Sequence, residues 1–299
     1  MNKTLQQPAV SIIIVYYKAT NALINCVYYL TKLYDKTPFE VIIVDNNPRP
    51  TIPTTIQTSF KNIPLTVIRN SKNLGFGKAN NIGAEKAKGK YFLFLNPDTL
   101  PENGIIDKLV NFFQYHPRAG YISPRQKHHC GKTYEIQGSQ ELTPLRAIFS
   151  ETIIHTIWPN NPIANNYFLK NLDPKQDQKV AAAPAGACLI DQQTFNKIGG
   201  FDPKFFLYFE EHDLGQKIKK IDKEVWLLAD PQITHLGEKS SKNKSTNTIF
   251  AESRYYYFYK YYGLGWAQLI KLISSVNKWH ILLIGLCLIY SMLVYFKYY

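Results

Sequence analysis

The apolar residues of this chain gather into short unbroken runs separated by amphipathic stretches. VSIIIVYY (10–17), FEVIIVDNN (39–47), LTVIRN (65–70) and KYFLFLNPDT (90–99) are rich in β-branched and aromatic residues. Runs of this length and continuity mark strands buried on both faces, as in a parallel sheet. Between them, residues 21–33 and GFGKANNIGAEKAKG (75–89) carry helical spacing, the second opened by glycine. Strand alternating with helix predicts an α/β fold on a doubly wound, mostly parallel sheet. No internal repeat interrupts the pattern.

From 124 to 180 the pattern weakens, and Asn, Pro, Gln and Lys surround scattered apolar groups, as in a long variable insertion. Order returns at VAAAPAGACLIDQQTFNKIGGFDPKFF (180–206), which reads as a small-residue segment, a strand at 187–190, a helix at 192–198 and a Gly-Gly break. Small residues let another backbone or a flat ligand approach closely. FFLYFEEHDLGQKI (205–218) predicts a helix with an apolar stripe through Leu207, Leu214, Ile218 and Ile221, and the residue completing that stripe is Glu211. An inward carboxylate costs roughly several kcal/mol unless it is paired, hydrated or shifted in pKa. The neighbouring face, Glu210, Asp213, Lys217 and Lys220, predicts a solvated ladder with an i,i+4 Asp213–Lys217 pair. VWLLADPQITHLG then reads as a strand pair ending at His235.

At 299 residues, 45% hydrophobic and 19% charged, the chain is a folded protein of one large or two modest domains. Its 35 Lys and Arg against 22 Asp and Glu, a net +13, point to an anionic partner such as a phosphorylated ligand or an acidic membrane surface. Nucleic acid is set aside, because no zinc-finger spacing, RNA-binding signature or basic-helix block is present. Cys26, Cys130, Cys188 and Cys287 form no CxxC, which suggests free thiols in a reducing compartment. HHC (128–130) lacks the second half of a metal site and reads as a surface loop. MNKTLQQPAV has no apolar signal core, so secretion is not expected. At the other end, residues 263–299 read as an amphipathic and then apolar membrane-associated segment. Ile281–Phe296 carries 16 uncharged residues between Lys278–Trp279 and Lys297–Tyr298–Tyr299. Spanning takes about 20 apolar residues with a lower limit near about 17, and aromatic and lysine flanks suit a bilayer interface. A buried helix and an in-plane anchor stay open.

In open α/β sheets ligands sit beyond the carboxyl ends of the strands. Asp45 and Asp98 both lie there, each directly after an apolar run. Either one alone reads as a turn or cap residue, and Thr99–Glu102 resembles a capping box with Pro101 near the helix start. Two acids at corresponding strand ends give a ligand role equal standing.

Taken in order, VSIIIVYY, VIIVDNN, NLGFGKANN, FLFLNPDT, AGACLI, IGGFDPKFFLYFEEHDLGQKI and THLG resemble family 2 glycosyltransferases, most of all the bacterial rhamnosyltransferase-like branch, over residues 8–262. The resemblance implies a GT-A fold in a catalytic domain spanning 1–262, with a Rossmann-like nucleotide-sugar half at about 8–123 and an acceptor half at about 180–262. It implies an inverting mechanism, a nucleotide-diphosphate sugar donor and a divalent cation, Mn²⁺ or Mg²⁺. On this resemblance Asp45 contacts the nucleotide base and Asn80 belongs to the donor-site helix. Asp98 is the metal-binding aspartate of a DXD-type motif whose first position is Asn96. Gly186 and Ala187 floor the acceptor pocket, which Tyr208 and its aromatic neighbours wall. Glu211 takes the general-base position and His235 completes the metal shell. Most relatives have Glu-Asp where this chain has Glu210-Glu211, so the base is one methylene longer.

The expected reaction moves a sugar, first choice rhamnose from dTDP-rhamnose, to a glycan or lipid-linked saccharide in bacterial cell-surface polysaccharide synthesis. UDP-hexose and UDP-galactofuranose are the alternative donors. A cation bridging the leaving diphosphate neutralises its charge, and an imidazole ligand tilts the site toward Mn²⁺. A positioned base contributes roughly 10²–10⁴-fold. A silent glycan-binding scaffold is the main alternative class, against which Asp98, Glu211 and His235 argue. A nucleotidyltransferase would carry a basic Gly-rich N-terminal loop, and VSIIIVYYKAT has none. The expected location is the cytoplasmic face of the cell membrane, held by residues 279–299.

Overall fold

A computed structural model describes residues 7–49, 52–60, 63–128, 130, 137–171, 173–237 and 244–276. In chain order its elements are β1 (Val10–Tyr16), α1 (Thr20–Leu30), β2 (Phe39–Asp45), α2 (Thr54–Ser59), β3 (Leu65–Arg69), α3 (Phe76–Ala84), β4 (Tyr91–Leu95), β5 (Thr99–Pro101), α4 (Ile105–Tyr115), β6 (Ala119–His128), α5 (Pro144–Glu151), α6 (Ile153–Ile157), α7 (Pro162–Tyr167), β7 (Gln178–Val180), β8 (Ala187–Asp191), α8 (Gln192–Lys197), α9 (Glu210–Lys220), β9 (Glu224–His235), α10 (Lys244–Tyr262) and α11 (Leu264–Ser275).

The strands form one mixed sheet in the order β3-β2-β1-β4-β8-β6-β9-β5, with β7 also paired to β9. The expected parallel ladders β3-β2-β1-β4 are present, β6 and β9 add another, and β8, β5 and β7 run antiparallel to their neighbours. Alternation along β1 separates two cores. Ile12, Ile14 and Tyr16 meet Leu23 and Cys26 of α1 and Leu109 of α4 on one face. Ile13 joins Ala79 of α3, Phe195 of α8, and Leu214 and Ile218 of α9 on the other. Helices thus cover both faces, which is why these strands read as unbroken apolar runs.

Three local expectations change. Thr99–Glu102 does not cap a helix: Thr99, Leu100 and Pro101 pair with His235, Thr234 and Ile233 of β9. Helix α4 instead begins after Gly104, and Asp35 from a distant loop accepts from the Gly104 and Asp107 backbone N–H groups. VWLLADPQITH is one strand rather than two, its register against β6 jumping at the Pro124/Arg125 step, where Leu228 is followed by Gln232. Within 124–180 the chain forms the end of β6, helices α5, α6 and α7, and β7. These helices have eight, five and six residues, too few turns for periodicity to register.

The chain divides into two compact units, the first from residues up to 141 and 168–253, the second from 142–167 and 254 onward. The second holds α5–α7, the end of α10, and α11. The expectation for residues 279–299 lies outside the described residues. Among the described residues no helix is long and apolar enough to cross a membrane.

Helix α9 rests on the small-residue segment before β8. A Cβ at Gly215 would collide with the Ala181 backbone carbonyl, which cannot rotate away as a side chain does. Gly215→Val is therefore expected to destabilise the protein by about 1–3 kcal/mol or more, read as a lower urea midpoint. Gly237→Ala, where a Cβ meets nothing within 4 Å, is the control and should cost only about 1 kcal/mol for its φ of 59°.

Candidate active site

The carboxyl ends of β1 and β2 open into a polar shelf. Asp45, buried at the end of β2, accepts hydrogen bonds from the Asn47 backbone N–H at 3.1 Å and from its Nδ2 at 2.8 Å. Asn46 donates to Asn73 and to the Gly75 carbonyl, and accepts from Asn70 Nδ2 and the Leu74 N–H. This network holds the turn leading into α3, where buried Asn80 donates back to the Phe76 carbonyl.

Beyond β4, the Asn96 N–H donates to the Gly186 carbonyl at 2.6 Å, and Gly186 lies so close to the Asn96 side chain that a Cβ there would overlap it. Pairing of β5 with β9 then sets Asp98 beside His235, with Oδ2 and Nε2 3.2 Å apart. The Leu236 N–H donates to the Asp98 carbonyl and closes the corner. Both side chains stay partly exposed. Behind them, burial pushes the Cys26 thiol up to about 12, a Thr99 hydrogen bond opposes the rise and the Asp98 charge adds to it. That thiol is inert at neutral pH.

The segment 199–209 is clipped directly to α3. Asn81 Nδ2 donates to the Phe201 carbonyl at 2.8 Å, and Asn81 Oδ1 accepts from the Phe201 N–H at 2.9 Å. The Phe76 N–H donates to the Phe206 carbonyl, which leaves Gly75 no room for a side chain. The segment ends in two consecutive left-handed residues, Tyr208 (φ 72°) and Phe209 (φ 70°). Aromatic residues rarely take this conformation, and the surrounding packing must hold it. Phe250 does so in part, its ring 5.6 Å from Tyr208 and 5.2 Å from Phe209.

This strained turn launches α9, with Glu210, Glu211 and Asp213 in its first turn, where the helix dipole favours anions. The solvated ladder expected for Glu210 and Asp213 is not found, since both are buried, Glu210 to 5% exposure. Leu207 precedes the helix, and α9 buries Glu210, Asp213, Leu214, Gly215 and Ile218, so the Glu210–Asp213 side is covered as well as the Gly215 side that meets the Ala181 backbone. The Asp213–Lys217 pair does form, at 3.1 Å, but as a buried pair whose lysine also donates to the Gly200 carbonyl. The Glu211 side chain remains 34% exposed.

The two neighbouring glutamates are driven apart in pKa. Burial raises Glu210 to about 8, the adjacent Glu211 charge adds to the rise, and backbone N–H groups of Glu210 and Tyr208 only partly oppose it. Its Oε1 has no hydrogen-bond partner. Burial pushes Glu211 up as well, but His212, with Nδ1 3.3 Å from Glu211 Oε1, and the helix-start N–H more than offset it, so Glu211 ends below the usual glutamate value. At neutral pH the pair therefore holds one negative charge, on Glu211, the more exposed member. Pairs pushed apart in this way serve acid–base chemistry.

Asp98 and His235 thus come together, as do Asn96 and Gly186, while Asp45 and Asn80 stand on the shelf formed by β2 and α3. Ala187 is fully buried within β8 and turns no side chain to the surface. Tyr208 is half-buried in the turn before Glu211. Reading the sequence alone missed Asn81 and His212. Each directly follows a residue that was singled out, so adjacency within one motif was the signal available.

Residues 11–199 match the model of Glycosyl transferase family 2, and the chain belongs to that family. The chain is 26% identical over 200 residues, 63% of each chain, to the N-acetylglucosaminyl-diphospho-decaprenol L-rhamnosyltransferase of Mycobacterium tuberculosis H37Rv. It is 36% identical over 86 residues, 28% of each chain, to an uncharacterized glycosyltransferase of Haemophilus influenzae. The chain therefore spans less than two thirds of the length of these curated relatives. Its fold is similar to that of GalNAc-T7 with UDP, GalNAc and Mn²⁺, with a TM-score of 0.59 and 15% identity over 85% of this chain and 51% of that one. It is also similar to S. aureus TarS 1-349 in complex with UDP-GlcNAc, with a TM-score of 0.54 and 15% identity over 91% and 68%. These likenesses define a GT-A-like α/β fold with a mostly parallel mixed sheet.

The folded protein keeps the Glu210 proton from its ordinary pH 4.5, where the unfolded chain releases it, up to about pH 8. Stability from this group is full below pH 4.5 and is lost as pH rises through that window. Glu210→Gln should flatten the fall in denaturant midpoint between pH 4.5 and 8. An unchanged slope would show that Glu210 is ionised in the fold.

Proposed function

We propose that the protein transfers a sugar, with inversion, from a nucleotide-diphosphate donor to a hydroxyl of a glycan or lipid-linked saccharide in bacterial cell-surface polysaccharide synthesis. Rhamnose from dTDP-rhamnose is the first-choice donor, by likeness to the mycobacterial relative named above. The observation that carries the proposal is the Asp98–His235 pair beyond β4, in the same compact unit as the Gly186–Asn96 contact and a partly exposed Glu211 of lowered pKa at the start of α9.

The same proposal assigns the roles that the family resemblance implies. Asp45, held by Asn47, contacts the nucleotide base, and Asn80 keeps α3 in place beside the donor. Asp98 and His235 offer a carboxylate oxygen and an imidazole nitrogen 3.2 Å apart, a donor set that suits Mn²⁺ or Mg²⁺ with phosphate and water as further ligands. What such an ion supplies is neutralisation of the charge that grows on the departing diphosphate. Glu211 takes the proton from the acceptor hydroxyl as its oxygen attacks the anomeric carbon. Its lowered pKa keeps it ionised for this, and the longer glutamate chain is steadied by His212. Tyr208 and the Gly186 backbone border the acceptor. The same proposal sets the enzyme at the cytoplasmic face of the cell membrane, where nucleotide sugars are available, held by residues 279–299.

Glu211→Gln keeps size but removes the base, so donor affinity should stay near that of the parent while kcat falls roughly 10²-fold or more. Turnover within about threefold of the parent would sink the assignment. The donor itself is read from thermal shifts with dTDP-, UDP- and GDP-sugars in the presence and absence of Mn²⁺, where ligand at about 100 times Kd stabilises by about 2.7 kcal/mol. A shift from dTDP-rhamnose alone is the expected result. In Asp98→Asn the Mn²⁺-dependent part of that shift should vanish, and its survival would remove Asp98 from the metal shell.

A further inference from the structure

Large apolar side chains are exposed unevenly along this chain. Of the fifteen exposed among the described residues, eight belong to the second unit, although it contributes only residues 142–167 and 254–276. Scattered exposed leucines need no explanation, but concentration in one small unit does.

Helix α11 shows how they are arranged. Ala267 and Ile270 are its buried side, and it packs on α5 of the same unit. Trp266, Leu269 and Leu272, three residues apart, form a second apolar row that is 43%, 40% and 66% exposed. Gln268, Lys271 and Ser275 make the polar side, and Lys271 is held over the Tyr255 ring at 5.5 Å. The helix is therefore apolar over a wider arc than its own unit covers. Lys271 borders that arc, and a lysine beside an apolar face suits the interfacial level of a bilayer.

Charge selects the kind of surface. Glu252 is the last acidic residue of the chain, whereas Arg254, Lys260, Lys271, Lys278 and Lys297 all follow it. In residues 142–167 the single acid is Glu151, beside half-buried Arg254. Glu151 is thus the one acid of this unit against six Lys and Arg, and basic residues near an anionic surface are attracted to it. The chain beyond α11 continues into the uncharged run Ile281–Phe296.

We infer that the second unit is a membrane-docking unit, with α11 lying in the plane of an anionic bilayer and Trp266, Leu269 and Leu272 set among the acyl chains. This rests on the proposed lipid-linked acceptor and adds to it the surface on which that acceptor is met. It differs from anchoring by residues 279–299, because it assigns contact to a helix of the folded unit. It is independent of which nucleotide sugar is the donor.

The test follows hydrogen exchange of the full-length protein with vesicles rich in phosphatidylglycerol and, separately, of phosphatidylcholine alone. On the anionic vesicles, amides of residues 264–276 should exchange about tenfold more slowly, and less so on the neutral ones. The double variant Leu269→Ser, Leu272→Ser should lose that slowing while keeping the parent's Tm and donor-induced thermal shift, since both side chains are exposed. Slowing confined to residues 281–299, or unaltered in the double variant, would overturn the inference. So would slowing of 264–276 that needs no vesicles and tracks dimer formation with protein concentration, because the row would then join two copies of the chain. Failure of the sugar-transfer proposal would appear separately, as loss of any nucleotide-sugar thermal shift.

Discussion

Asn81 spends both halves of its amide on the backbone of Phe201, 120 residues away in the chain. That reciprocal pair, with the Phe76–Phe206 bond beside it, ties the shelf at the ends of β1 and β2 to the turn that aims α9. Without it the left-handed residues Tyr208 and Phe209 would lose the anchor that keeps their strain in place, and Glu211 would have no defined direction. Glycine at 75 is a consequence of the same closeness, since the Phe206 carbonyl occupies the space of its missing side chain. Backbone-to-backbone approach of this kind leaves little freedom for the cleft to relax, which suits a site that must hold a proton acceptor near a fixed target.

The start of α9 carries more carboxylate than a buried helix end can bear ionised. The fold resolves this in three different ways. Asp213 is matched by Lys217, Glu211 is left partly open to solvent beside His212, and Glu210 is buried deeply enough to hold its proton. Desolvation and like-charge repulsion act together on Glu210, and both favour its neutral form. The outcome is one charge in one place. A second ionised carboxylate would raise the pKa of Glu211, so a neutral Glu210 suits the role of base proposed for Glu211.

The first unit holds the candidate site, the second an exposed apolar row on α11. On the proposed reading an acceptor in a bilayer is found by a search confined to two dimensions, which a docking surface in the folded chain would suit. Lysines that follow the last acid of the chain and the exposed row of α11 express the same constraint in charge and in apolar area.

The parallel strands were legible because their burial on both faces is written as unbroken β-branched runs, and Ile12, Ile13 and Ile14 need no distant partner to declare it. The family motifs likewise carried Asp98, Glu211 and His235 into view, since each lies at the end of a run with its own local signature. Helices α5–α7 escaped because five to eight residues hold too little period to rise above their loops. The reading of Glu210 and Asp213 as solvated failed for a different reason. Helical spacing tells which residues share a face but not how many faces are covered, and α9 is buried at Glu210 and Asp213 as well as at Gly215, which lies against the Ala181 carbonyl. The sequence by itself determined the strands, their alternation with helices and the chemical types available at their ends. Only the tertiary structure decided the antiparallel return of β8, the pairing that sets His235 beside Asp98, and which of two adjacent glutamates keeps its proton. Those outcomes depend on burial and on distances between segments far apart in the chain, which no local pattern of residues contains.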